Sequence, residues 1–136
     1  MKQNAITHKH EIDVTSQGIL ILGDHNHHGL ETTLATLGFS TMLWSSALHS
    51  LEKLKTYPVR AVVIDRDVAH ADVLEFILNV RDINAHIPIV VVAHHKQDHT
   101  DEAMRQQSQV TYIKASPQDT QLSNTLSQLL TSTQIE

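Results

Sequence analysis

Two rhythms of apolar residues alternate along this chain. The first is a series of short unbroken runs: Gly18–Asp24 (GILILGD), Phe39–Leu43 (FSTML), Val59–Asp65 (VRAVVID), Pro88–Ala93 (PIVVVA) and Val110–Lys114 (VTYIK). Runs this short and this uniformly apolar suit β-strands buried on both faces. Between them the apolar residues recur at helical spacing. Leu30, Leu34 and Leu37 predict a first helix that Gly38 stops. Leu48, Leu51 and Leu54 predict a second on one face, capped by Ser45 or Ser46. Val73, Leu74, Ile77, Leu78 and, with less regularity, Phe76 predict a third. The stretch QDHTDEAMRQQ (97–107) predicts a weak, polar fourth helix whose inward face buries little. Leu122, Leu126, Leu129 and Leu130 predict a fifth, opened by Pro117.

Strand and helix in strict alternation imply βαβ units, a parallel sheet and right-handed crossovers. The expected fold is α/β: a doubly wound, flavodoxin-like (βα)5 domain with a five-stranded parallel sheet in the order 2-1-3-4-5. The domain is placed at 18–131, behind a polar lead of residues 1–17 expected to be flexible and before a tail, 132–136, expected to fray.

Length and composition narrow the function. The 136 residues fit one domain, and 40% hydrophobic content is enough for a core. A formal net charge of -5 with no Lys/Arg cluster argues against nucleic acid as the partner. The chain has no cysteine, which excludes disulfides, thiolate metal sites and cysteine nucleophiles. No apolar run approaches the ~20 residues that cross a bilayer, and the first residues lack a signal-peptide core. A soluble cytoplasmic protein without a membrane partner is expected.

The runs also end in charges. Asp24 closes the first, Asp65 the third and Lys114 the fifth. In an open parallel sheet, ligands bind outside the carboxyl ends of the strands, so all three would project from one edge. Two carboxylates that close repel unless a cation joins them, which suits Mg²⁺ and a phosphoryl group.

In these features the chain resembles the receiver domain of two-component response regulators, the chemotaxis-receiver-like family. LILGDHN matches that family's first strand, VVIDRDVAHADVLEFI the region around its phospho-accepting aspartate, IPIVVVAHH its fourth strand and VTYIKAS the strand with its invariant lysine. The intervals, 41 residues from Asp24 to Asp65 and 49 from Asp65 to Lys114, are close to the family pattern. The resemblance implies that Asp65 accepts a phosphoryl group from a histidine kinase or phosphotransfer protein. It implies that Asp24, Asp65 and the backbone carbonyl of Asp67 hold Mg²⁺, and that Lys114 holds the phosphoryl oxygens. The implied role is that of a stand-alone signalling domain rather than an enzyme. It would act on a downstream signalling protein by contact, with the strand-five face as the surface for that partner or for a homodimer.

The chain departs from the family pattern at five places. Gly23 stands where the first of two strand-one acids is usual, so Mg²⁺ binding is expected to be weak. Ala93 replaces a hydroxyl residue and Thr111 an aromatic one, with Tyr112 one residue late. These are the two ends of the family's conformational switch, so a small structural response to phosphate is expected. Ala115 replaces a proline, and Val68–Ala69 replaces Met-Pro. A degenerate pseudo-receiver, binding a partner regardless of phosphate, is therefore the alternative. Nucleotide binding is a distant third, because GDHNHHG is a poor substitute for a glycine-rich fingerprint.

Other residues carry less. Asp72 reads as a helix cap, and Trp44 as a packing residue. Among 11 histidines, His25, His27 and His28 beside the first strand and His94–His95 after the fourth could hold a transition metal or sense pH. A surface composition bias is the plainer reading.

Overall fold

The computed structural model describes residues 18–24, 29–67, 72–93, 100–114 and 120–135. The lead 1–17, the histidines at 25, 27, 28, 94 and 95, the Val68–Ala69 pair, Ala115 and Pro117 lie outside the described residues. Within them, strands and helices alternate: β1 Gly18–Leu22, α1 Leu30–Thr36, β2 Thr41–Trp44, α2 Ala47–Thr56, β3 Val59–Asp65, α3 Val73–Ile83, β4 Ile89–Ala93, α4 Thr100–Arg105, β5 Val110–Lys114 and α5 Thr120–Ile135. The strands form one parallel sheet in the order β2-β1-β3-β4-β5, the expected doubly wound, flavodoxin-like arrangement.

Side-chain alternation divides the core into two layers. Leu20, Leu22, Val62, Ile64 and Val91 face α2, α3 and α4, meeting Leu54, Phe76, Ile77, Val80 and Met104. Ile19, Ile21, Val63, Val90 and Val92 face α1 and α5, meeting Leu34, Leu126 and Leu130. Each of these side chains contributes about 1.5–3 kcal/mol by leaving water. Covering both faces explains why the central strands read as unbroken apolar runs.

The helix caps follow local chemistry. Ser46 precedes α2 in extended conformation, and its side chain accepts a hydrogen bond from the His49 N–H at 3.2 Å. Asp72 does the same for α3, accepting from the Glu75 N–H at 3.1 Å. Gly38 ends the first helical segment at φ 98°, a left-handed conformation that glycine adopts without steric cost.

Two inward assignments need correction. Leu48 is 64% exposed and Leu78 is 46% exposed. Once Ser46 fixes the start of α2, Ser50 and Leu54 turn to the sheet, and Leu48 falls outside that stripe. In α3 the stripe is Val73, Phe76, Ile77 and Val80, spaced i, i+3, i+4 and i+7. Leu78 lies about 100° round the helix from Ile77. The second strand also begins later than expected, at Thr41, because Ile19 first bonds the Ser40 carbonyl and then pairs with Thr41. At the other end of the chain, α5 continues to Ile135, past residue 131.

Candidate functional site

The strand register fixes where the charged residues sit. Leu22 lies level with Ile64, Asp65 with Val92, and Ala93 with Lys114. Asp24, Asp65, Asp67 and Lys114 therefore share the carboxyl edge of the sheet. Asp65 ends β3, the strand between β1 and β4, and is 3% exposed despite its carboxyl group. Its Oδ1 accepts a hydrogen bond from the Asp67 N–H at 3.3 Å, so the turn after β3 folds its main chain against the carboxylate. Asp24 and Asp67 are half-buried, and Lys114 is exposed. The ladder continues one step past each central strand: the Gly23 N–H bonds the Trp44 carbonyl and the Arg66 N–H bonds the Val92 carbonyl. Both steps fix the backbone beside the edge.

The donors here are the Asp24 and Asp65 carboxylates, with the Asp67 main chain close by. Oxygen donors with one or two carboxylates suit Mg²⁺, which keeps several of its waters and shares phosphate oxygens. The fit is to that kind of sparse site. Among the described residues, no group of three or more His, Asp or Glu side chains converges as a metal cage. Gly23 brings no carboxylate to this level. Ala93 is fully buried at the end of β4 and offers no hydroxyl to the edge.

The polar core beneath α4 was not legible in the sequence. Asp101, in the first turn of α4, is 1% exposed. Its Oδ1 accepts from Arg66 Nε at 3.1 Å and its Oδ2 accepts from the Tyr112 hydroxyl at 2.7 Å. The Arg105 guanidinium lies 4.3 Å from the centre of the Tyr112 ring. Burial first, then the hydrogen bond to Asp101 and its charge, pushes the Tyr112 phenol well above its ordinary value, against the opposing charges of Arg66 and Arg105. As expected, α4 buries little apolar surface, Met104 among its described residues, but three residues before it on the same side the helix also buries Asp101. The spacing of Asp101 and Met104 on one helix face was the available signal.

No protein-family model and no curated protein sequence matches this chain. Solved structures do. A response regulator receiver protein from Sinorhizobium medicae is 24% identical, with a TM-score of 0.69 over 87% of this chain and 97% of that one. A sensor protein from Polaromonas sp. is also 24% identical, with a TM-score of 0.70 over 88% and 96% of the two chains. The receiver domain of a sensor histidine kinase from Pseudomonas aeruginosa, with a magnesium ion coordinated in its active site cleft, is 18% identical, with a TM-score of 0.70 over 85% and 98%. Strand order, helix placement and these superpositions agree, and the chain has the fold of the response-regulator receiver domains.

Proposed function

We propose that this chain is an atypical receiver domain of two-component phosphorelay signalling, which takes a phosphoryl group on Asp65 from a histidine kinase or phosphotransfer protein. The observation that carries this reading is the position of Asp65. It is a near-buried carboxylate at the carboxyl end of β3, with Asp24 and Lys114 on the same edge. In the transfer, a carboxylate oxygen of Asp65 bonds to phosphorus as the P–N bond of a phosphohistidine breaks. The imidazole leaves with the bonding pair and takes up a proton. Lys114 supplies a mobile positive charge toward the phosphoryl oxygens. Asp24, Asp65 and the Asp67 carbonyl would hold Mg²⁺, which would supply positive charge to the phosphoryl oxygens.

The protein is the acceptor in this scheme, not a separate enzyme, and its output is contact with a downstream signalling protein. The face formed by β5 with α4 and α5 is the proposed surface for that contact or for a homodimer. No helix among the described residues is long and apolar enough to cross a membrane. The cytoplasm is the proposed setting.

The second reading, a pseudo-receiver that docks regardless of phosphate, is favoured by Gly23 and Ala93. Incubation with acetyl phosphate and Mg²⁺ separates the two. The acceptor reading expects the intact mass to rise by one phosphoryl group, and Asp65→Asn to abolish the gain. No gain in the wild type, with the partner still bound, supports the pseudo-receiver.

A further inference from the structure

The acceptor chemistry makes no use of Arg66, Asp101 and Tyr112, yet they join three elements. Arg66 sits in the turn directly after Asp65, with its N–H fixed to the Val92 carbonyl at 2.9 Å. Its guanidinium reaches Asp101 of α4, and the other oxygen of that carboxylate reaches Tyr112 of β5. The seat of α4 is thus tied on one side to the residue beside Asp65 and on the other to the sheet edge strand.

We propose that Arg66, Asp101 and Tyr112 form a charge link through which the seating of α4 on β5 depends on the charge carried at Asp65. The inference rests on the acceptor reading for its natural input, since a phosphoryl group is the charge that would arrive there. Phosphorylation replaces the single negative charge of the Asp65 carboxylate with about 1.5–2 on the phosphoryl group at neutral pH, adjacent in the chain to Arg66. Guanidinium groups favour phosphate oxygens, in paired hydrogen bonds. One guanidinium would then have a second anionic group, one residue away in the chain, to bind. Its side chain is 23% exposed, so it has room to turn, whereas the Asp101 side chain is 2% exposed. If Arg66 turns to the phosphoryl group, Asp101 keeps Tyr112 as its partner among the described residues and stays buried without the guanidinium's charge, which is unfavourable. The relief is for α4 to lift and admit water to Asp101. α4 spans only six residues, Thr100–Arg105, and among its described side chains Met104 is the other buried one, so such a movement is cheap. This route needs neither a hydroxyl at Ala93 nor an aromatic ring at Thr111. It predicts a response across α4 and β5 where the sequence alone implies a small one.

Hydrogen exchange on the full chain tests the link, with beryllofluoride plus Mg²⁺ as the phosphoryl mimic. In the wild type, exchange across residues 100–105 is expected to speed up about tenfold, the scale of losing one charge-assisted hydrogen bond. In Arg66→Gln it is expected to be fast already and indifferent to beryllofluoride. Arg66→Lys, which keeps the charge, is expected to restore part of the response, which a purely steric role would not do. An equal response in the wild type and Arg66→Gln overturns the link. So does an unmoved α4 while amide shifts at residues 65–67 show the mimic bound. If the mimic does not bind, the acceptor reading fails, and Asp65→Asn still decides the link. Removing that charge is expected to slow exchange at residues 100–105 in the wild-type background but not with Arg66→Gln. Identical effects in both backgrounds overturn it.

Discussion

Replacing Asp101 by alanine should destabilise the protein well beyond what a residue in a short, polar helix suggests. The carboxylate is 1% exposed and both its oxygens are engaged. Truncating one partner of a buried ion pair costs about 3–5 kcal/mol where the remaining charge stays dry. Arg66 is 23% exposed and regains water, which brings that figure down. The Tyr112 hydroxyl loses its acceptor, a cost of about 1–3 kcal/mol that partial exposure of the ring again reduces. The net expectation is a loss of about 2–3 kcal/mol, or roughly a 10 °C fall in Tm for a domain of this size. Asp101→Asn still accepts from Tyr112 and should lose only about 1 kcal/mol. Urea unfolding followed by circular dichroism, with thermal melts alongside, measures both. A value for Asp101→Ala within about 0.5 kcal/mol of the wild type, the range of ordinary surface substitutions, would refute the reasoning.

Three further outcomes concern the core, Tyr112 and the metal site. Phe76→Ala should cost about 3–5 kcal/mol by urea unfolding, whereas Leu78→Ala two positions on, at an exposed site, should stay within about 0.5 kcal/mol. Tyr112 should ionise late in an alkaline ultraviolet titration, because the fold favours its neutral form; its contribution to stability is complete below the unfolded value of about 10 and is lost as pH rises from there. Tyr112→Phe should lose both the late spectral step and that part of the alkaline fall. Mg²⁺ should bind weakly, read from Trp44 fluorescence, and Asp24→Ala should weaken it further; tight binding that survives Asp24→Ala would put the ion elsewhere.

The sheet was legible because the central strands are covered on both faces, which leaves no polar alternation to confuse with a helix. Asp65 stood out for the same reason: a carboxylate that ends the run VVI marks the place where the strand meets the open edge. Helix phase was harder. Leucines at 48 and 78 look inward by spacing alone, but Ser46 and Asp72 set where each helix begins, and that choice gives the sheet Ser50 and Phe76 instead. The polar seat of α4 was hidden because a buried carboxylate reads as a solvent-facing one until its partners are known. Arg66 and Tyr112 lie 35 and 11 residues from Asp101 in the chain, and only the sheet register brings them together.

The phosphoryl-acceptor role of Asp65 has a direct chemical test. An aspartyl phosphate is a mixed anhydride, and borohydride reduces it to homoserine while leaving a free carboxylate untouched. The protein is incubated with acetyl phosphate and Mg²⁺, reduced, digested and sequenced by tandem mass spectrometry. Homoserine at position 65, and its absence from the Asp65→Asn protein, is the predicted result. A reduced protein that keeps aspartate at position 65, or carries homoserine only at position 24 or 67, would contradict it.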